Sequence, residues 1–294
     1  MHKYNLFSKT KTMKKTHLCL GLCLTLAASL LTASHADAQI FKKLKDKVSD
    51  KIESKVDKVL DGDLSKKTDA GKTENQAGTI AATIGLDGPY NFIAGTDSVY
   101  FDNFSQETAG DMASHWKSNG SGSIGTADQF AGNWLFLKEF TSYKLKSDTP
   151  LPENFTIEFD IVTLSKDEAR DLNSVSFGFA HNNAISSYIG DAYNEGAITQ
   201  TEIHYWNKEI ITSSSDNKKY NTIKYPLEEY AIGKMHVSVT VKGLHMQVYL
   251  DKHKVLDTDM FERNPEKKYF YISTSTRLDN GARIGVGNFK IAGL

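Results

Sequence analysis

The feature that most constrains the fold is a repeated alternation of apolar and polar residues in short runs between residues 89 and 294. In LPENFTIEFDIV, residues 151–162, every second residue from Phe155 to Ile161 is apolar. Successive side chains of a β-strand point to opposite faces, so this period predicts a strand with one buried face and one exposed face. Glycine, asparagine, aspartate and proline separate the runs, as expected of turns.

The same period recurs along the rest of this region, and no long helical pattern interrupts it. The further runs are SVSFGFAH at 174–181, TEIHYW at 201–206, HVSVTVKGLHMQVYL at 236–250, YFYIST at 269–274 and RIGVGNFKIAGL at 283–294. The third of them predicts a hairpin that turns near Lys242 and Gly243. About 206 residues of short strands predict an all-β domain, either a sandwich or a barrel, over residues 89–294. In a sandwich, each sheet would show its second face to water.

Residues 1–38 have the pattern of an export signal. A basic stretch at Met13 precedes the apolar run LCLGLCLTLAASLL, which is too short to span a bilayer comfortably, and an A-x-A cleavage motif follows at 36–38. We expect translation to start at Met13 and the mature chain to begin at Gln39. The alternative is an N-terminal anchor that is never cleaved. Export would place the protein in the periplasm, at the outer membrane or outside the cell.

Both cysteines, Cys19 and Cys23, lie within the predicted signal. The mature chain would then have no disulfide, no thiol nucleophile and no thiolate metal ligand. Beyond residue 38 the chain carries 30 basic and 35 acidic residues and has no basic stripe after residue 60, so nucleic acid is not an expected partner. Spacings typical of zinc proteases, nucleophilic serine hydrolases and phosphate-binding loops are absent from the sequence.

Residues 39–60 predict a lysine-rich amphipathic helix. Apolar residues recur three or four positions apart, at Phe41, Leu44, Val48, Ile52, Val56 and Val59, and seven Lys accompany four acidic residues. An isolated helix of this length is marginal in water, so its apolar stripe must be buried. Self-association in a coiled coil, an anionic membrane surface and docking on the chain's own domain remain open as the three alternatives. Residues 61–88 are polar and Gly-rich, and predict a flexible linker.

A family resemblance rests on the segment 88–124, on LPENFTIEFD and on the closing IAG at 291–293. The first segment contains FDNFS and a W-x-x-N-G-x-G turn from Trp116 to Gly122. Together they resemble the concanavalin- or laminin-G-like jelly-roll domain of exported Bacteroidetes proteins, often found ahead of an OmpA-type peptidoglycan-binding domain. The likeness covers roughly residues 40–294 and implies a jelly-roll sandwich at the cell envelope. Ala94 stands where proline is expected, and the chain stops at Leu294, so peptidoglycan anchoring is not carried over.

Two carboxylates, Glu158 and Asp160, point the same way from one predicted strand. Jelly-roll glycosidases of the β-glucanase type have three acids in a pattern such as E-x-D-x-x-E or E-x-D-x-E. Val162 and Thr163 occupy the third position here, so the acid/base is missing unless Glu202 supplies it from another strand. We therefore favour a non-catalytic binding or scaffold role at the cell envelope. A jelly-roll glycoside hydrolase or lyase is the alternative.

The alternation also predicts a binding face. Six side chains fall on the non-core side of their strands: Glu158, Asp160, Glu202, His204, Trp206 and Tyr249. If those strands are neighbours in a concave sheet, they would form a glycan-binding surface, because aromatic rings match the C–H face of a pyranose and carboxylates bind hydroxyls. Solvated side chains without a ligand are the plain alternative. An envelope protein is the other partner considered.

Calcium is the one cofactor that the sequence leaves open. Asp and Asn oxygens in DLNS at 171–174 and DNG at 279–281 could hold a calcium ion at the rim of the sandwich, through Asp171, Asn173 and Asp279. An ordinary polar turn is the plainer explanation of each motif.

Overall fold

A computed structural model describes residues 88–194, 196–263 and 267–294. The predicted signal, the predicted helix and all but the last residue of the predicted linker lie outside the described residues. The described strands are β1 (Asp97–Asp102), β2 (Trp116–Ser118), β3 (Gly122–Ala127), β4 (Phe130–Leu137), β5 (Ser142–Leu145), β6 (Asn154–Leu164), β7 (Ser174–Ala180), β8 (Ala197–His204), β9 (Glu209–Ser214), β10 (Lys219–Lys224), β11 (Ile232–Lys242), β12 (His245–Leu250), β13 (His253–Asp259), β14 (Tyr269–Thr274) and β15 (Arg283–Gly293).

The strands form two antiparallel sheets, which confirms the predicted all-β sandwich of jelly-roll type. The first sheet has the order β13-β12-β11-β6-β15-β4-β3, with β1 also paired to β15, and the second has the order β10-β9-β8-β7-β14-β5-β2. Three short 3-10 helices, Ala169–Leu172, Leu227–Tyr230 and Asp279–Gly281, lie between strands. No helix in the described part of the chain is long and apolar enough to cross a membrane. The predicted hairpin is β11 paired with β12.

The core lies between the sheets and consists of the residues that the alternation places inward. Phe159 of β6 is fully buried, and its ring centroid lies 5.3 Å from that of Phe177 on β7 and 5.7 Å from that of Phe270 on β14. The ring centroid of Phe289 on β15 lies 5.8 Å from that of Phe159 and 5.2 Å from that of Phe270. This aromatic cluster joins the two sheets, and the inward side of β6 matches the predicted alternation.

The segment 181–194 crosses the outer face of the second sheet. Part of that face is therefore covered by the chain, although we expected it to face water. The amide of Ile189 donates to Ser142 Oγ (2.8 Å), Gln200 Nε2 donates to the Gly190 carbonyl (2.7 Å) and Tyr188 Oη donates to the Thr274 carbonyl (2.8 Å). Ile189 packs with Ala180, Ala197 and Tyr271 in a small apolar cluster on this face. These contacts position the segment as one wall of a cleft.

Residues 88–96 cross the outer face of the first sheet in a similar way. The rings of Tyr90 and Phe92 lie 5.3 and 6.1 Å from the ring of Tyr249, whose hydroxyl donates to Asn91 Oδ1 (2.5 Å). The Gly95 amide donates to Thr156 Oγ1 (2.9 Å). A Cβ atom on Gly95 would lie 2.4 Å from the Gly293 carbonyl oxygen, so only glycine allows this close approach.

Candidate functional site

The six predicted binding residues do not share one surface. Glu158 and Asp160 lie on β6 and Tyr249 on β12, in the first sheet. Glu202 and His204 lie on β8, in the second sheet. The outer faces of a two-sheet sandwich point away from each other. The condition for a shared binding face, that these strands are neighbours in one sheet, is therefore not met, and Glu202 cannot complete a catalytic set with Glu158 and Asp160.

The acid pair of β6 is held in a network of cations and amide donors. His236 on the neighbouring strand β11 contacts Asp160 through Nδ1 (2.7 Å) and Glu158 through Nε2 (3.6 Å). Asn288 Nδ2 donates to Asp160 Oδ2 (2.8 Å), and Lys290 Nζ lies 3.7 Å from Glu158 Oε1. Lys234 Nζ is 3.7 Å from Asp160 Oδ2.

The network stabilises the charged form of each of its members. Hydrogen bonds to Asp160 and Glu158 raise the pKa of His236 to about 9, against the opposing effect of burial. The hydrogen bond from His236 lowers the pKa of Glu158. Burial would raise the pKa of Asp160, but the hydrogen bonds from His236 and Asn288 outweigh it and lower that pKa. A general acid must hold its proton near neutral pH, so this pair is suited to structure rather than to acid catalysis.

The His236 network predicts a pH dependence of stability. Because the folded pKa of His236 lies above its ordinary value of 6.5, its contribution is fully present below pH 6.5 and is lost as the pH rises through about 9. Urea denaturation of the wild type and of His236→Gln, measured from pH 6 to 10, should show their difference in unfolding free energy shrinking over this window. Other groups titrate in the same pH range, but their contributions are nearly the same in both proteins and largely cancel in the difference in unfolding free energy. A constant difference would contradict this assignment.

The two aromatic members of the predicted set lie in different surroundings. Tyr249 is fully buried beneath Tyr90 and Phe92, so its ring is not available to a ligand. Trp206 lies in the turn after β8 and is 47% exposed. The guanidinium carbons of Arg170 and Arg277 are 5.7 and 6.0 Å from the centroid of its ring. The alternation predicted that both side chains are exposed. This is correct for Trp206 and wrong for Tyr249, which residues 88–96 cover.

An open cleft of ≈ 850 Å³ lies on the outer face of the second sheet. Its lining residues come from three parts of the chain. Strands β7 and β8 contribute Ser174, Glu202 and His204, the crossing segment contributes Ser186, Ser187, Tyr188, Gly190, Asp191 and Asn194, and other loops contribute Asn119, Phe140, Asn173, Ser275 and Thr276. The lining is thus rich in hydroxyls, amides and carboxylates. A cleft of this size accommodates a small-molecule ligand.

Glu202 and His204 present free polar atoms to the cleft. They are two residues apart on one face of β8, and both are half-buried. Among the described residues, the carboxylate of Glu202 has no hydrogen bond or ion pair. His204 Nδ1 accepts a hydrogen bond from the amide of Asn207 (3.1 Å), which leaves Nε2 as the nitrogen that carries the ring proton in the neutral form. The cleft therefore offers a carboxylate acceptor beside an N–H donor.

Aromatic rings form one rim of the cleft. The centroid of Phe140 lies 4.4 Å from that of Tyr188, with an angle of 34° between the ring planes. The side chain of Phe140 is 55% exposed. Its backbone has φ = 52°, a left-handed conformation that is uncommon for a bulky residue.

Sequence reasoning identified Glu202 and His204 but missed Phe140, Tyr188, Asp191 and Asn194. The signal available for the last three was the length of the connection between β7 and β8, which is too long for a hairpin turn and contains two tyrosines among acidic and amide residues. Long loops of this kind are often functional. Phe140 carries no comparable signal, because its role depends on its contact with Tyr188.

The two predicted calcium motifs contact each other in the structure, and an arginine pairs with the carboxylate of the second motif. Asn173 Nδ2 donates to Asp279 Oδ2 (2.9 Å), and Arg277 Nε lies 3.3 Å from the same oxygen. Asp171 is buried, with Oδ2 3.5 Å from Ser165 Oγ. A guanidinium beside Asp279 reduces the attraction of that carboxylate for a second cation. Calcium binding at these turns stays a prediction.

A group of potential metal ligands that the sequence did not suggest is formed by Asp102, Glu107 and His115. Both carboxylates already accept hydrogen bonds from their own chain. Asp102 accepts from Tyr100 Oη (2.8 Å) and from the amide of Phe104 (2.9 Å). Glu107 Oε1 accepts from the amide and the hydroxyl of Ser114 (2.8 and 2.6 Å). These contacts explain the cluster as local structure of the loop between β1 and β2.

No protein-family model matches the sequence, and no curated protein matches it. Among solved structures, the carbohydrate-binding module CBM66 from Bacillus subtilis is 14% identical, with a TM-score of 0.39 over 60% of this chain and 95% of that chain. The Emp47p carbohydrate recognition domain is 12% identical, with a TM-score of 0.45 over 68% and 99%. Arcelin-5, a lectin-like defense protein from Phaseolus vulgaris, is 12% identical, with a TM-score of 0.44 over 62% and 95%. At these identities and TM-scores the three similarities assign no function to this chain.

Proposed function

We propose that the protein is a non-catalytic carbohydrate-binding protein of the cell envelope, and that it binds its glycan in the cleft of the second sheet. The observation that carries the proposal is the pair Glu202 and His204 in an open cleft that the exposed ring of Phe140 also lines, where neither the Glu202 carboxylate nor His204 Nε2 has a hydrogen-bond partner among the described residues. A pyranose presents hydroxyls to polar groups and a C–H face to an aromatic ring. Export rests on the predicted signal at residues 1–38.

The non-catalytic part of the proposal rests on where the acids lie. Glu158 and Asp160 are neutralised by His236 and two lysines, and Glu202 lies on the opposite face of the sandwich. Glycoside hydrolysis is the second candidate, because the cleft contains a second carboxylate, Asp191. Asp191 Oδ1 already accepts a hydrogen bond from the amide of Tyr193 (2.7 Å), which assigns this side chain a part in shaping the loop.

The test compares the same substitution on the two outer faces. Glu202→Gln in the full chain should weaken glycan binding by about 1.5–3 kcal/mol, or roughly 10- to 150-fold, because a charge-assisted hydrogen bond is lost. Glu158→Gln should leave binding unchanged, since its carboxylate lies on the other sheet. Binding is first screened on a glycan array, and its affinity is then measured by calorimetry.

The outcomes distinguish the alternatives. If Glu202→Gln abolishes turnover of a bound glycan while binding persists, the cleft is catalytic, because an amide can still hydrogen-bond but cannot act as an acid or a nucleophile. If Glu158→Gln weakens binding and Glu202→Gln does not, the ligand site is on the first sheet. If the wild type binds no glycan, the carbohydrate proposal fails and an envelope protein becomes the preferred partner.

A further inference from the structure

The charge of the cleft restricts which glycans it can bind. Among the described residues that line it, none is lysine or arginine, whereas two, Asp191 and Glu202, are carboxylates. The pKa of Tyr188 is raised to about 12, mainly by burial and further by the negative charges of Glu202 and Asp191. Both carboxylates therefore lie close enough to Tyr188 to affect it electrostatically. An anionic sugar would meet these carboxylates without a compensating cation, which is unfavourable in a partly desolvated site.

Glu202 differs from other carboxylates on the outer faces of the two sheets. Glu209, on the strand next to Glu202, pairs with Lys224 Nζ at 2.8 Å. On the first sheet Asp257 pairs with Lys254 Nζ at 2.7 Å, and Glu158 and Asp160 share His236. The half-buried Glu202 carboxylate has no such cation among the described residues. The cation that would pair with it is therefore left for a ligand to supply.

We infer that the cleft selects amino sugars, with the sugar ammonium group paired to Glu202 and a neighbouring hydroxyl accepting a hydrogen bond from His204 Nε2. An ammonium group donates charge-assisted hydrogen bonds to carboxylate oxygens, which are roughly twice as strong as neutral ones. Asp191 adds negative charge on the crossing segment, and Phe140 offers a ring for the apolar face of the sugar. This inference rests on the proposed carbohydrate-binding function and names its ligand class.

Arg170, Arg277 and Lys144 each have partners outside the cleft. Arg170 Nε pairs with Glu168 (2.9 Å) and Arg277 Nε with Asp279 (3.3 Å), while both guanidinium groups lie over Trp206. Lys144 Nζ donates to the carbonyls of Asn182 and Ala184 at 2.9 and 2.8 Å. None of these three side chains lines the cleft. These three cations therefore do not neutralise the Glu202 carboxylate in the cleft.

The test uses the full chain and glycans that differ in one group. An array carries gluco- and galacto-configured oligosaccharides as free amines, N-acetylated amines, neutral hydroxyl forms and carboxylates. The free-amine form should bind at least about tenfold more tightly than its N-acetylated and neutral counterparts, because only it carries the cation that Glu202 lacks. The carboxylate form should bind most weakly. Calorimetry on the best matched set measures each ratio.

Two variants test whether the preference for free-amine glycans depends on Glu202. Glu202→Gln should reduce the amine preference to about twofold or less, while binding of the neutral form falls by a smaller factor. Asp257→Asn is the control: it removes a carboxylate of the first sheet that is already paired with Lys254, away from the cleft, and the preference should stay at the wild-type value. Circular dichroism confirms folding. If Glu202→Gln does not fold, Asp191→Asn should lower the same preference in part.

Each result has a distinct meaning. Equal or tighter binding of neutral or N-acetylated glycans overturns the amino-sugar inference and leaves the proposed function standing. Tighter binding of carboxylate glycans also overturns the inference. An amine preference that survives Glu202→Gln, or Asp191→Asn where the first variant does not fold, overturns the residue assignment on which the inference depends. Failure of every glycan to bind overturns the proposed function, and the inference with it.

Discussion

Phe159→Ala is expected to lower the free energy of unfolding by about 3–5 kcal/mol, as is typical when a buried Phe is truncated to Ala. Phe159 is fully buried at the centre of the sandwich, and its ring contacts Phe177 and Phe270 from the second sheet and Phe289 from the first. Its removal takes away apolar contact from both sheets and leaves a cavity between them. Urea denaturation followed by circular dichroism measures the loss.

A matched control is available on the surface of the same sheet. Phe101 of β1 is 59% exposed, so Phe101→Ala removes the same atoms with little change in buried area, and stability should change by no more than about 0.5 kcal/mol. A loss below about 1.5 kcal/mol for Phe159→Ala would show that the neighbouring aromatic rings close the cavity. In that case the cluster would not be the element that joins the sheets.

Gly178→Ala is expected to lower the free energy of unfolding by about 3 kcal/mol or more, beyond the usual cost of an added methyl group. A Cβ atom at Gly178 would lie 1.9 Å from the carbonyl oxygen and 2.7 Å from the carbonyl carbon of Thr199. Both are backbone atoms of the paired strand β8, and the oxygen also accepts a hydrogen bond from Tyr271 Oη (2.9 Å). Relief of the clash requires β7 and β8 to separate locally.

The control for this prediction is Ser176→Ala, which changes a small outward residue two positions earlier on the same strand. No hydrogen bond of the Ser176 side chain is present among the described residues, so the substitution should be nearly neutral. Thermal and urea denaturation of both variants give the comparison. Wild-type stability in Gly178→Ala would mean that the ladder between β7 and β8 opens at no cost, and that the backbone approach seen here is not required.

The acid pair that the sequence pattern emphasised and the carboxylate that lines the cleft have different surroundings in the structure. Glu158 and Asp160 stand out in the sequence because they are adjacent on one strand face, yet in the structure they hold His236 between β6 and β11. Glu202 stands out less in the sequence, and among the described residues its carboxylate has no hydrogen bond or ion pair.

The alternation of residues by itself determined the all-β class, the inward side of the strands in which it was recognised, such as β6, β7 and β8, and the hairpin of β11 with β12. This follows because side-chain direction along a strand has a fixed period of two, and only the apolar side can be buried. It was also sufficient to place Glu202, His204 and Trp206 on outward or exposed positions. These are local properties of the chain, and local sequence contains them.

Only the tertiary structure decided which sheet each strand joins, because strand order depends on pairing between segments far apart in the sequence. It separated Glu158 from Glu202 by the full thickness of the sandwich and placed β6 between β11 and β15. It also covered Tyr249 with Tyr90 and Phe92, and brought Tyr188 to Phe140 across a loop. Burial by a distant segment leaves no mark in the period of a strand, so the cleft and its aromatic rim became visible only in the folded chain.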